Sequence, residues 1–464
     1  MSFAGGKYYS MKDFTEGQVG KLLIDFSVPL VAGNIFQNLY NVVDSIIVGN
    51  YLGKEALGAV GASFPIIFAL ISMVIGVGSG ASTVVAQYFG AHQHENVKKT
   101  IDTIYIFFLV ASVFISITGI ILSKWLFRLL NLPDEILPDA VTYLQIYLTG
   151  TFFFFGFSGI SSILRGMGDA KTPLFFMILA TLTNTTLDLI FVLVFKWEIQ
   201  GVAWATVISH AFAFFGAISY LNKKHPIIKL GFRKYQFDKE IFRKSIRIGL
   251  PTGFQQSFVA FGMMAIMGIV NSFGTSTVAA YTAATRIDSF AKMPAMTFSQ
   301  ALASFTAQNL GAYKEKRARQ GLSKTLMLSL SYCVIISLLI LLFGSRIMKI
   351  FTPDNEVVRI GQDYLVIVSS FYLLFAVMFT IVGFLRGAGA TLIPMINTFT
   401  TLYLIRIPVA YFLSSEIGVT GIWWSEPAGW LIGIIILAVY FKSGKWKGKV
   451  VVEPGEVPVP EEPI

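Results

Sequence analysis

The sequence predicts an all-α membrane protein of twelve transmembrane helices in two six-helix lobes, on three observations: long apolar runs, scarce charge and an internal repeat of constant period. Of the 464 residues 55% are hydrophobic and 13% charged, with a mean hydropathy of +0.68, whereas a soluble chain carries about 25% charge. A water-soluble fold of this size could not cover itself with so few charges. Runs such as 104–121 and 364–384 match the roughly 20 residues that cross about 30 Å of hydrocarbon. Gly, Pro and charge breaks delimit spans near 18–51, 56–89, 100–124, 138–163, 172–195, 200–221, 245–273, 276–309, 322–345, 358–385, 391–414 and 418–441.

The repeat orders these spans. Ala86-Gln87-Tyr88-Phe89-Gly90-Ala91 recurs as Ala307-Gln308-Asn309-Leu310-Gly311-Ala312, a spacing of 221 residues. Leu164-Arg165-Gly166-Met167-Gly168, followed by Pro173, recurs at the same spacing as Leu385-Arg386-Gly387-Ala388-Gly389, followed by Pro394. Pro29 and Pro251 head the first span of each half. Six spans separate the copies, so both halves insert the same way up, as parallel repeats about a pseudo-twofold axis along the membrane normal. The expected lobes are 1–221 and 245–442, joined by a basic cytoplasmic linker over 222–244 and followed by a disordered tail over 443–464, rich in Pro, Glu and Val. A path between two such lobes is the expected substrate site.

Orientation follows from charge. The linker carries Lys223, Lys224, Lys229, Arg233, Lys234, Lys239, Arg243 and Lys244, and the loop after span eight Lys314, Lys316, Arg317 and Arg319, while loops of opposite parity carry few cations. The positive-inside rule then puts both termini in the cytoplasm, in a multi-pass inner-membrane protein. The net charge of +10 lies in these loops, where lipid headgroups account for it better than nucleic acid does. No cleavable signal opens the chain, and the single cysteine, Cys333, excludes an intramolecular disulfide.

Charge inside a span is expensive, about 2.5 kcal/mol or more for an Asp near a helix centre, so each instance is a functional candidate. Asp44 lies in span one, after Gln37, Asn38 and Asn41. Span five holds Asp188 with Asn184 one turn before it, and span six holds Thr206 with His210 one turn after. Two carboxylates, an amide and a hydroxyl supply the hard oxygens an alkali cation needs, and a shared proton could replace the ion. Asn and Thr alone serve equally well as glue between helices. At the repeat spacing Asp188 falls on Val409, Asn184 on Ile405, and Asp44 near Ile266, so the acidic cluster belongs to the first lobe.

The second lobe instead holds Arg286, Asp288 and Lys292 in span eight, Arg406 in span eleven and Glu426 in span twelve. Asp288 and Lys292 are spaced to pair on one helix face, and Arg406 with Glu426 reads either as an ion pair or as substrate contacts. Gln37, Asn41 and His210 join these five as candidates for lining a cavity. Pro29 and Pro251 are candidate hinges or plain packing kinks. His92, His94 and Glu95 read as a solvated turn rather than a metal site. No nucleophile-and-base motif or phosphate loop is present, so neither an enzyme nor a cofactor is expected.

These features together resemble the multidrug and toxic compound extrusion (MATE) family, in its DinF-like branch. The resemblance covers about 18–442 and rests on Val28-Pro29-Leu30 through Gln37, Leu39, Tyr40, Asn41 and Asp44 to Gly49, on the Leu164 to Gly168 loop, and on Asn184, Asp188 and Thr206. It implies a V-shaped two-lobed bundle working by alternating access, and a first-lobe site for Na⁺ or H⁺ formed by Asp44, Asn184, Asp188 and Thr206 with a backbone carbonyl near Val202. It also implies export of amphiphilic or cationic small molecules by a monomer among membrane lipids. Gln255 and Gln256 in span seven and a lone Asp363 in span ten replace acids that NorM-like members carry there, which points to the DinF-like branch. His210 lies outside the family pattern. A flippase for a lipid-linked saccharide or lysolipid is the competing expectation, kept open by Arg286, Lys292 and Arg406 as possible phosphate ligands.

Overall fold

In the computed structural model, which describes residues 11–130, 132–224 and 235–452 apart from the side chain of Asn41, the chain is helical with no strand among the described residues. The first six rods are α1 (Val19–Tyr51), α2 (Gly53–Gly90), α3 (His94–Leu129), α4 (Leu137–Thr149 and Thr151–Gly166), α5 (Lys171–Val194) and α6 (Ile199–Lys224). The second six are α7 (Lys239–Asn271), α8 (Thr275–Gly311), α9 (Glu315–Phe351), α10 (Asn355–Ser370 and Tyr372–Gly387), α11 (Leu392–Ile417) and α12 (Val419–Lys442). Nine of these rods are long and apolar enough to cross a membrane, eleven when the bent α4 and α10 each count as one span, and α8 is the exception among the described residues; such a set suits a multi-pass membrane protein.

The repeat motifs become intelligible as helix endings. Gly168 and Gly389 both adopt φ +80°, and Asp169 N–H reaches Leu164 O at 2.8 Å as Ala390 N–H reaches Leu385 O at 2.8 Å. This six-to-one bond with a left-handed residue is the Schellman cap, which glycine adopts without steric cost. The other motif ends α2 and α8 in the same way, with His92 (φ 57°) and Tyr313 (φ 58°) in the left-handed position and bonds Gln93 N–H to Tyr88 O and Lys314 N–H to Asn309 O. His92 is therefore a capping residue, and His94 is not in a loop but opens α3.

Gly166 and Gly387 serve a different purpose. A Cβ at Gly166 would collide with the Ser82 carbonyl on α2, and one at Gly387 with the Ala303 carbonyl on α8. Each unit thus crosses two backbones where only glycine fits, the small-residue contact that membrane helices use for close approach.

Four expectations need correction. Spans four and ten are not continuous: α4 bends by 51° and α10 by 53°. The bends fall at repeat-equivalent Gly150 and Phe371, where Gly150 N–H bonds Tyr147 O and Phe371 N–H bonds Val368 O, a tightened three-residue turn. No proline marks either point, so the sequence gives little warning. Second, the linker is shorter than 222–244, because α6 runs to Lys224 and α7 starts at Lys239; residues 225–234 lie outside the described residues. Third, the tail does not begin at 443. Trp446 is fully buried on Phe384 and Phe441, Tyr313 Oη donates to Val452 O at 3.2 Å, and Lys447 pairs with Glu315 at 3.0 Å.

Fourth, the two compact units do not divide at the linker. One takes the described residues up to Asp13 with Val28–Leu250, the other Phe14–Ser27 with those from Pro251 onward. The divisions fall beside Pro29 and at Pro251. In the second unit Phe14 is buried against Phe26 and Phe305. Its N–H donates to Gln308 Oε1 at 2.9 Å, and its carbonyl accepts from Asn309 Nδ2 and Arg317 Nε. Arg317 Nη2 also binds the carbonyls of Glu16 and Gly17. Gln308, the second copy of the recurring glutamine, is thus a receptor for the backbone of the segment at Phe14. Gly166→Ala and Gly387→Ala, each overpacking a backbone crossing, should destabilise the protein by about 1–3 kcal/mol, read as a lowered unfolding temperature, whereas His92→Gly should leave it unchanged or raise it.

Candidate functional site

Helical spacing assembles the first-unit site. α1 presents Tyr40 and Asp44, α5 Asn184 and Asp188, α6 Val202, Thr206 and His210, and the first half of α4 Tyr143 and Tyr147, every set at intervals of one turn. Asp188 and Asn184 are buried, Asp188 with 0% exposure and Asp44 with 8%. The two carboxylates lie within electrostatic reach of each other and of Tyr40 and Tyr143. Tyr40 Oη donates to Thr206 Oγ1 at 3.1 Å, which orients the threonine hydroxyl. A π-helical turn, Ile190–Val194, begins two residues after Asp188, the kind of register change that recurs at functional sites.

Among the described residues these charges have no partners. Neither oxygen of Asp188, nor Asp44 Oδ1, nor Asn184 Nδ2 has a hydrogen-bond partner among the described residues, and no ion pair there reaches either Asp. Buried polar groups are normally satisfied, and a bare carboxylate at lipid depth costs most of all. Two carboxylates, an amide and a hydroxyl have the chemistry that a cation or a proton requires, and Val202 is fully buried one turn before Thr206. His210 packs edge-on to Phe154 at 5.2 Å and lies 6.4 Å from the Tyr40 ring, its Nδ1 buried without a partner. Gln37 is exposed, and the side chain of Asn41 lies outside the described residues. Sequence reasoning gave Tyr143 and Tyr147 no role, although their one-turn spacing was the available signal.

The second unit holds the opposite arrangement. Lys292 Nζ contacts Asp288 Oδ2 and lies 2.9 Å from Glu426 Oε1. Arg406 Nη2 donates to Glu426 Oε2 at 2.8 Å, and Tyr372 Oη to Asp288 Oδ1 at 2.8 Å. Tyr364 Oη is 3.3 Å from both Asp288 Oδ2 and Glu426 Oε2. Two anions meet two cations, so the cluster is neutral. The bend in α10 places Tyr364 and Tyr372, one on each side of it, on Asp288. Arg406 stands at the end of a π-helical segment, Thr400–Arg406. Arg286 points away from this cluster to an exposed position.

Comparison with known proteins accords with this architecture. The MatE family profile matches residues 29–190 and again 251–412. The probable multidrug resistance protein YpnP of Bacillus subtilis is 32% identical over 94% of this chain and 97% of its own length. YoeA of the same bacterium, also a probable multidrug resistance protein, is 30% identical over 91% and 93%. Among solved structures, an outward-facing multidrug resistance MATE family transporter matches with a TM-score of 0.87 at 24% identity, over 95% of this chain and 99% of that one, a likeness of fold.

Breaking one partner of a buried ion pair strands a charge, at about 3–5 kcal/mol. Arg406→Ala should therefore lower the unfolding temperature strongly, and Arg406→Ala with Glu426→Ala, which leaves the neutral Asp288–Lys292 pair, should recover much of the loss.

Proposed function

Because this chain belongs to the MatE family of membrane transporters, we propose that it exports an amphiphilic or cationic small molecule, driven by inward movement of Na⁺ or H⁺ at Asp44 and Asp188. The observation that carries this reading is that, among the described residues, both oxygens of the fully buried Asp188 and Oδ1 of Asp44 have no partner. Asp44, Asp188, Asn184, Thr206 and the backbone at Val202 would hold the ion, which supplies the compensating charge. Tyr40 fixes the Thr206 hydroxyl.

The coupling logic is electrostatic. An occupied or protonated site removes the cost of the buried carboxylates, so occupancy biases the chain between conformations to the extent that the site differs between them. Alternating access then exchanges the ion for substrate, with both termini on the cytoplasmic side. The names of the two Bacillus relatives, both probable multidrug resistance proteins, support a drug-like substrate. The flippase alternative is weakened, because Lys292 and Arg406 spend their charge on Asp288 and Glu426 rather than offering it to a phosphate.

In proteoliposomes with separately imposed Na⁺ and pH gradients, one gradient or both should drive export of a lipophilic cation. Asp44→Asn and Asp188→Asn should each reduce that export to background, with yield and unfolding temperature near those of the unmodified protein. Undiminished export by either variant would sink the reading.

A further inference from the structure

The charge cluster of the second unit stands at the repeat position of the first unit's site. Tyr364 is the repeat equivalent of Tyr143, Arg406 that of Thr185 beside Asn184, and Glu426 that of Ala205 beside Thr206. The equivalents of Asp288 and Lys292, however, are the buried Ile67 and Ile71 on α2. The second unit therefore carries a carboxylate and an ammonium, one turn apart, on the helix equivalent to α2, where the first unit has two isoleucines.

The surroundings of Lys292 Nζ have the chemistry of a receptor for an ammonium group. Two of its three N–H donors are met by Asp288 Oδ2 and Glu426 Oε1. The ring faces of Phe375 and Trp430 lie 5.4 and 5.5 Å away, inside the range for cation–π attraction. Tyr364 and Tyr372 hold the two carboxylates from behind. Arg406 neutralises the negative charge left when Lys292 has neutralised one carboxylate. Carboxylates at hydrogen-bond distance require N–H donors, so the cage selects a primary ammonium over a quaternary one.

We propose that this cluster is a primary-ammonium binding site whose resident ligand is the chain's own Lys292, and that a free alkylammonium occupies it once the tether is cut. The site itself follows from the second unit alone. One consequence rests on the coupling reading above: with a cation covalently supplied here, only the first unit exchanges an ion.

Lys292→Ala removes three methylenes and the ammonium, the outline of n-propylammonium. With purified full-length protein, the variant should unfold at lower temperature than the unmodified chain, and n-propylammonium should restore at least half of the loss in a saturable manner. 1-Propanol and tetramethylammonium at equal concentration and ionic strength should not, and the unmodified protein should not respond. Adding Asp288→Asn to Lys292→Ala should abolish the response. A folded Lys292→Ala protein that ignores propylammonium, or an equal shift in the unmodified chain, overturns the proposal. Should Lys292→Ala not survive solubilisation, its recovery is scored with and without propylammonium. Recovery only with it supports the proposal, and recovery in neither overturns it. These readouts are thermal, so they are independent of the export assays that test coupling at Asp44 and Asp188.

Discussion

A charge inside the hydrocarbon layer has no water to fall back on, and the arrangement of both units follows from that constraint. Each unit buries a pair of acidic side chains within its helices, Asp44 and Asp188 in the first and Asp288 and Glu426 in the second, and an isolated carboxylate is among the costliest groups a membrane helix can carry. In the second unit Lys292 and Arg406 cancel Asp288 and Glu426, and two tyrosine hydroxyls take up remaining oxygen lone pairs. In the first unit no such cation pairs with Asp44 or Asp188 among the described residues, and the proposed ion or proton would meet that cost. One repeat thus compensates its buried acids with its own cations, and the other, in the proposed reading, does so reversibly.

The same constraint governs the backbone. Interrupted helices are tolerated at membrane depth only where protein surrounds them, and here the interruptions coincide with the polar clusters. The π-helical turns lie next to Asp188 and Arg406, and the bends of α4 and α10 position Tyr143 and Tyr364 at equivalent places. A regular helix keeps one fixed stripe toward its neighbours. A bend or a π-turn re-aims the stripe, which lets a helix pack apolar residues at one level and deliver a polar group at another.

Much of the rest is repeated machinery for ending and crossing helices. Gly168 and Gly389 cap, Gly166 and Gly387 let backbones touch, and Gln308 receives the segment at Phe14. The glycines are legible in the sequence as motifs because backbone geometry that both repeats share favours them there. Their purposes are not legible. A motif states that a position is constrained, and only the neighbouring carbonyl or N–H states by what. The same limit hid the ordered segment around Trp446, whose Pro- and Glu-rich continuation gives no periodic pattern, and the exchange of helix starts between the compact units at Pro29 and Pro251.

By itself the sequence determined the membrane class, the twelve spans, the period of the repeat and the confinement of Asp44, Asn184, Asp188 and Thr206 to one half. Hydrophobic run length, charge scarcity and one-turn spacing act along a single helix and need no partner to be read. Tertiary structure alone decided which charges are compensated. Asp288 could be paired with Lys292 from spacing, but Glu426 shared between Lys292 and Arg406, Tyr364 touching both acids, and Asp188 touching no partner are relations among different helices. Compensation of a buried charge depends on separations of about 3 Å, and separations between helices are set by how the bundle packs, not by the order of residues along any one of them.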